Sequence, residues 1–142
     1  MNTRPETLNR EKIDLLKQMN CYRMSIGIEC GSEKFRKEKL NRFASNEEIL
    51  ERMAILSKSG LVFSVNNIIG FPDETRELIF ETIDFNRKFT DYDTLTVSIF
   101  VPYHGTRLRQ EAVQKGYLDP ATITTHTTSS SLLRMPQLSS QE

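Results

Sequence analysis

The feature that most constrains the fold of this chain is a strand-then-helix pattern that occurs three times. Alternating apolar residues predict strands over residues 21–29, 61–70 and 94–101. Each is followed by a helical pattern, and successive strands begin at intervals of roughly 35 residues. This rhythm is typical of βαβ units, whose strands pair in a parallel sheet. The sequence therefore predicts an α/β fold.

Capping residues mark where the helices begin. The predicted helices, with their caps, are 6–20 (Asn9), 32–40 (Ser32), 45–60 (Ser45 with Glu48), a helix after Asp73 or Thr75, and a last helix from Thr106 to Gly116. Two of them show an apolar stripe that predicts the buried face. The stripes are Ile49, Met53 and Leu56 in the third helix, and Leu78, Ile79, Ile83 and Phe89 in the fourth.

The two faces of each predicted strand differ in polarity. The apolar positions are Tyr22, Met24, Ile26 and Ile28, then Phe63, Val65 and Ile69, then Leu95, Val97, Ile99 and Val101. The opposite face carries mostly small or polar residues, among them Asn66 and Gly70. A doubly wound sheet would be apolar on both faces. The pattern instead favours a barrel or part-barrel with helices outside and a polar lumen that can hold a ligand. A two-layer sheet with one solvated face is the alternative.

Composition excludes several classes of partner. The 142 residues carry a formal net charge of +0, which predicts neither nucleic-acid binding nor attraction to an anionic membrane. No apolar run is long enough to cross a bilayer, and the first residues lack the apolar core of a signal peptide, so we expect a cytoplasmic protein. The two cysteines, Cys21 and Cys30, are expected to be reduced thiols. No protein-only metal site is predicted.

Both ends of the sequence differ from the middle. Thr3-Arg4-Pro5 resembles the exit of a strand that is not present, and residues 138–142 resemble a helix cap without its helix. After Tyr117 the chain becomes rich in hydroxyl side chains and loses its periodicity. We therefore expect a fragment, with a barrel portion at 1–117 and a truncated extension at 118–142.

Four short motifs occur in order along the chain: residues 3–6 (TRPE), 25–32 (SIGIECGS), 66–75 (NNIIGFPDET) and 101–106 (VPYHGT). Together they resemble the C-terminal half of a radical SAM core domain. The subgroup includes methylthiotransferases, coproporphyrinogen-oxidase-like enzymes and proteins with a cobalamin-binding domain. Residues 131–136 (SLLRMP) also resemble the segment that follows the barrel in the proteins with a cobalamin-binding domain. The fold implied is the C-terminal half of a partial (βα)6 TIM-type barrel, with parallel strands and outer helices.

The resemblance implies a chemistry and a set of site residues. Such enzymes reductively cleave S-adenosylmethionine (SAM) with a 4Fe–4S cluster to start radical chemistry. Glu29 would accept hydrogen bonds from the ribose, Arg42 would bind the SAM carboxylate, and Asn66 would contact ribose or carboxylate. Ile68 and Gly70 would pack against adenine. Two simpler interpretations remain open: Glu29 as a helix cap and Arg42 as a solvated helix charge.

The main departure from the family is an absent cysteine loop. The C-x3-C-x2-C motif that binds the cluster is missing, as is the Gly-rich motif for the SAM amino group. We therefore predict that this chain alone neither holds a cluster nor cleaves SAM, and that its partner is the missing N-terminal half of the same barrel. No catalytic residue is assigned, and cobalamin is possible in the full-length protein. The alternatives are another βα-barrel enzyme binding a phosphorylated small molecule, or a non-catalytic remnant or interaction module.

Overall fold

The computed structural model describes residues 1–124 and 130–138. One parallel sheet of four strands is connected by helices. In chain order the elements are β1 (Asn2–Thr3), a 3-10 helix (Pro5–Thr7), α1 (Arg10–Gln18), β2 (Arg23–Glu29), α2 (Glu33–Leu40), α3 (Asn46–Ser57), β3 (Val62–Ile69), α4 (Arg76–Asn86), β4 (Thr94–Ile99) and α5 (Arg107–Gln114). The predicted helices and strands are present, with ends that differ by a few residues.

The order of the strands identifies the architecture. Neighbours in the sheet are also neighbours in sequence, in the order β1-β2-β3-β4, and every pair is parallel. A doubly wound sheet reverses its order at a switch point, whereas a βα barrel adds strands in one direction. The predicted fold class, a portion of a parallel barrel with outer helices, is confirmed. Asn2 and Thr3 pair with Ser25 and Ile26, so they form a short strand where the sequence predicted only the exit of an absent one.

The main core lies between β2, β3 and α3. Met24, Ile26 and Ile28 of β2 are fully buried, and the predicted α3 stripe is buried against the sheet. Tyr22 was predicted to share this apolar face, and that prediction is wrong. Its side chain precedes β2 and is 79% exposed.

Helix α4 is rotated relative to its predicted stripe. Ile83 was predicted to be buried but is 41% exposed, while Thr82 and Asn86 face the sheet. The cause is a reciprocal amide pair: Asn67 Nδ2 donates to Asn86 Oδ1 at 3.1 Å, and Asn86 Nδ2 donates to Asn67 Oδ1 at 3.0 Å. Buried amides must be hydrogen-bonded, so this pair sets which face of α4 meets β3.

The outer face of β4 also differs from expectation. Leu95 and Val97 were predicted to lie under outer helices, yet they are 37% and 52% exposed. Together with Ile83 and Tyr92 they line an apolar groove of about 300 Å³. Helix α5 packs at the carboxyl end of the sheet, so it does not cover this face.

A second core cluster lies at the carboxyl end of the sheet. The Phe71 ring is central, with its centroid 6.0 Å from that of Phe35 and 5.2 Å from that of Phe100. Leu133 and Met135 are buried in the same cluster. The domain boundary after Tyr117 stays a prediction, and the helix cap predicted at 138–142 lies, apart from Leu138, outside the described residues. None of the helices within 1–124 and 130–138 combines the length and apolar content needed to span a membrane.

Candidate functional site

A cleft of about 370 Å³ opens at the carboxyl ends of β2 and β3. Glu29 and Arg42 line one side, and Ile68 and Phe71 line another. Parallel βα folds bind their ligands at this end, because the strand ends and the loops that follow them converge there. Three of the five predicted site residues therefore meet in one cleft.

Glu29 and Arg42 form an ion pair at the end of β2. The Arg42 Nη2 group donates to Glu29 Oε1 at 3.0 Å, and Nη1 donates to the Gly27 carbonyl at 2.6 Å. Their side chains are 18% and 13% exposed, respectively. Burial raises the pKa of Glu29, and the Arg42 charge and hydrogen bond oppose that rise. One guanidinium thus binds the carboxylate and the strand backbone together.

Local backbone geometry brings these two side chains together. Glu29 has a φ of 72°, and the β2–β3 register shifts between Gly27 and Glu29. Gly27 has no Cβ, which leaves room for the Glu29 carboxylate beside it. Asn41, with a φ of 53°, ends α2, and the Arg42 N–H bonds to the Arg36 carbonyl at 3.1 Å. This is a Schellman-type end that directs Arg42 back toward β2.

These contacts bear on the two simpler interpretations. The Arg42 side chain is mostly buried, so it is not a solvated helix charge. Glu29 is bonded to Arg42, while Ser32 is the residue before α2 and makes no side-chain capping bond. The roles proposed for Glu29 and Arg42 toward SAM stay predictions.

The predicted residues of β3 lie beside this pair. Asn66 is in register with Gly27 of β2 and Thr96 of β4, and Ile68 is in register with Ser98 of β4. Asn66 and Ile68 share one strand face, as the alternation predicted. Asn66 is half-buried and lies deeper along the strand than Ile68, which lines the cleft. Gly70 ends the strand with a φ of 82°. Their contacts with ribose and adenine stay predictions.

Glu74, which the sequence reasoning did not single out, is fully buried in the turn after β3. Its Oε2 accepts hydrogen bonds from the Gly70 N–H at 2.5 Å and the Phe71 N–H at 3.2 Å. Its Oε1 has no hydrogen-bond partner among the described residues. Burial raises the pKa of Glu74 to about 7, and the two N–H groups oppose the rise. The available signal was an acidic residue a few positions after a strand-ending glycine.

Asp73 belongs to a charge cluster at the rim of the cleft. It was an alternative helix cap, but Thr75 caps α4 and Asp73 binds Lys39, Lys115 and Tyr117. Burial acts to raise the pKa of Asp73, but hydrogen bonds from Lys115 and Lys39 outweigh it and hold the pKa well below its usual range. Glu111 of α5 contacts the same lysines. The cluster fixes α5 over the carboxyl ends of the strands.

The two implied cofactors fit this chain to different degrees. Cys30 is buried beside Thr82, and the part of the chain described here holds no group of three metal-ligating side chains. A 4Fe–4S cluster needs thiolate ligands and does not fit these residues. SAM carries a carboxylate, a ribose diol and an adenine. The cleft offers a guanidinium, a carboxylate and an aliphatic side chain of matching chemistry, so its residues fit SAM.

The fold and the cleft define a class of protein: a segment of a parallel βα barrel with a candidate ligand site at the carboxyl ends of its strands. Residues 1–85 match the family model of the Radical SAM superfamily. The chain belongs to this superfamily, as its motifs predicted.

The chain is similar in sequence to parts of longer proteins. The chain is 29% identical to an uncharacterized methyltransferase of Pyrococcus horikoshii over 141 residues, which cover 99% of the chain and 30% of that protein. It is 32% identical to the tRNA-2-methylthio-N(6)-dimethylallyladenosine synthase of Clostridioides difficile over 110 residues, which cover 75% of the chain and 23% of the synthase. The chain therefore spans less than a third of the length of these curated relatives.

A solved structure shows the same fold. Coproporphyrinogen III oxidase (HemN) from Escherichia coli, a radical SAM enzyme, superposes with a TM-score of 0.63 at 19% identity, over 72% of this chain and 23% of HemN. The similarity to the methylthio synthase agrees with the subgroup that the four motifs predicted, and the superposition on HemN shows the same fold.

Proposed function

We propose that this chain is the SAM-binding, carboxyl-terminal half of a radical SAM barrel. The observation that carries the proposal is the Glu29–Arg42 pair facing Ile68 in one cleft at the strand ends. One Glu29 oxygen is bonded to Arg42, which leaves the other to accept a hydrogen bond from a ribose hydroxyl. The Arg42 fork can bind the SAM carboxylate, and Ile68 offers an apolar surface for adenine.

The remaining parts of the site are assigned to the amino-terminal half of the same barrel. Strand β1 has only two residues and lies at the edge of the sheet, so its outer side can pair with a further strand. When bound together, cluster and SAM supply the electron and the radical. The residues of this chain bind and orient SAM. In isolation the chain is expected to form no iron–sulfur chromophore and no 5′-deoxyadenosine.

Three finer points are part of this proposal. Cobalamin in the full-length protein is a prediction from the resemblance of residues 131–136. A cytoplasmic location and the lack of a nucleic-acid partner are predictions from composition. Methyl transfer, methylthiolation and ring chemistry are equally compatible with the cleft, since substrate choice in this fold depends on residues from all strands.

SAM titration of the isotope-labelled chain, followed by NMR, tests the proposal. We expect SAM-dependent shifts at Asn66 and Ile68 and at the Arg42 guanidinium. Arg42→Met should remove most of the binding, whereas Arg87→Met, at an exposed arginine of the residues after α4, should bind as the wild type does.

Two results would overturn this assignment. One is the absence of SAM-dependent shifts at the ends of β2 and β3 in the folded wild-type chain. The other is equal binding by the Arg42→Met and Arg87→Met variants. A non-catalytic remnant that has lost the site would give the first result. Cluster absorbance and 5′-deoxyadenosine formation by the reconstituted chain would contradict the expected inactivity.

A further inference from the structure

Glu74 closes the turn after β3 through both its backbone and its side chain. Its backbone N–H donates to the Phe71 carbonyl at 3.0 Å. Its carboxylate accepts the N–H groups of Gly70 and Phe71. The segment 70–74 is therefore a closed unit in which one residue bonds to the two peptide groups that follow the strand.

The Gly70 conformation depends on such an acceptor. Its φ of 82° lies in the left-handed region and turns the chain sharply at the end of β3. Gly70 and Phe71 are buried, so their N–H groups would be unpaired donors without the carboxylate. A buried donor without a partner is costly, so loss of this acceptor should shift the turn.

The conformation of the 70–74 turn also determines the shape of the cleft. Ile68 lies two residues before Gly70, Phe71 lies directly after it, and both line the cleft with Glu29 and Arg42. The Phe71 ring also packs against the Phe35 and Phe100 rings. A change in the Gly70 and Phe71 peptide planes would therefore move cleft-lining atoms while leaving the rest of the sheet in place.

The charged and polar groups that surround Glu74 bond to other atoms. Its carboxylate therefore keeps the Gly70 and Phe71 N–H groups as its hydrogen-bond donors. The Cys30 thiol on the β2 side interacts electrostatically with Glu74, and burial raises the pKa of that thiol. The Arg36 guanidinium of α2 instead donates to the carbonyls of Cys30 and Gly31. The Gln137 side chain donates to the Glu74 backbone carbonyl at 3.3 Å. The adjacent Asp73 carboxylate points to the lysine cluster.

We propose that Glu74 is a positioning residue of the SAM site: it holds the Gly70 and Phe71 peptide units so that Ile68 and Phe71 form the adenine-facing wall of the cleft. This inference rests on the proposed function, and Glu74 acts through the turn without contacting the ligand. Its buried carboxyl group, one oxygen of which has no partner within residues 1–124 and 130–138, is the feature that general core packing does not explain.

The first test uses the ligand-free chain and the amide protons of Gly70 and Phe71. Both should shift together with pH, with one midpoint near the Glu74 pKa of about 7. Glu74→Gln should abolish the titration, and the matched control Glu77→Gln, at an exposed glutamate of α4, should keep it. Amide shifts that do not change with pH, or that titrate unchanged in Glu74→Gln, would overturn the proposal. The wild-type titration needs no substitution, so it decides the point even if Glu74→Gln lowers stability.

The second test is SAM affinity measured by NMR titration. Glu74→Met, which leaves no side-chain acceptor for the two N–H groups, should weaken binding by about three- to tenfold, with the matched control Glu77→Met unchanged. Equal affinity in the wild type and Glu74→Met would contradict the positioning role. Failure of the wild-type chain to bind SAM would overturn the proposed function, and this inference with it. The two failures can be distinguished, because the amide titration is done without SAM and does not depend on SAM binding.

Discussion

Two carboxylates at the ends of neighbouring strands have different environments. Glu29 ends β2 and is bonded to the Arg42 guanidinium, with 18% of its side chain exposed to the cleft. Glu74 follows β3, is fully buried, and is bonded to backbone N–H groups. Burial raises the pKa of both; the Arg42 charge opposes the rise at Glu29, while the pKa of Glu74 reaches about 7.

The difference in exposure and in bonding partners shows which carboxylate is accessible to a ligand. A guanidinium favours the charged form of Glu29, and the exposed part of that side chain faces the cleft. Glu74 has no exposed surface, and in the described part of the chain two N–H dipoles offset the cost of burying its charge. We therefore propose that Glu29 contacts the ligand and that Glu74 holds the turn that shapes the site.

The largest expected effect is a loss of folding stability with rising pH, caused by ionisation of Glu74. Its folded pKa of about 7 lies above the ordinary value of 4.5, so the folded state retains a proton that the unfolded state loses. The stabilisation is fully present below the unfolded pKa and is lost as pH rises to about 7. The free energy of unfolding of the wild type relative to Glu74→Gln should fall by about 3 kcal/mol across this window.

Urea denaturation of both chains at a series of pH values measures this effect. The offset caused by the substitution itself does not depend on pH, so only the change in the difference is used. A difference that stays constant from acid to neutral pH would show that Glu74 ionises as an ordinary carboxylate, and the contrast with Glu29 would disappear.

A smaller effect is expected from removing the partner of Glu29. Arg42→Met deletes the hydrogen bonds to Glu29 and to the Gly27 carbonyl and leaves a mostly buried carboxylate unpaired. We expect a loss of about 1–2 kcal/mol in the free energy of unfolding at neutral pH. The pKa of Glu29 should rise further in this variant, because in the wild type the guanidinium opposes the effect of burial. Urea denaturation and NMR titration of the Glu29 carboxyl carbon measure the two quantities. An unchanged Glu29 pKa would mean that Arg42 does not control its charge.

The smallest effect is expected at an exposed pair. The Arg87 Nη1 atom lies 2.9 Å from Asp84 Oδ1, but the two side chains are 75% and 66% exposed, respectively. Arg87→Met should therefore change the free energy of unfolding by less than about 0.5 kcal/mol, because solvent screens such pairs. Urea denaturation beside Arg42→Met provides the matched comparison. A loss as large as that of Arg42→Met would show that burial does not separate these two arginines.

Much of the candidate site could be predicted from the sequence. Asn66 and Ile68 share a face because strand residues alternate, and Glu29 and Arg42 follow from the resemblance to the family. Glu74 was missed because its partners are backbone N–H groups, which leave no side-chain pattern. The Asp73 cluster was missed because Lys115 lies far away in sequence and meets Asp73 only after α5 has packed.

By itself the sequence determined the order of strands and helices, the helix caps at Asn9, Ser45 and Thr106, and the polar face of β3. Periodicity and capping are local properties, so they can be read without knowing what lies opposite. Only the tertiary structure decided that Ile83 is exposed and that β4 has an uncovered outer face. Periodicity shows which residues share a face. What covers that face depends on long-range packing: the Asn67–Asn86 pair turns α4, and the Asp73 cluster holds α5 at the strand ends.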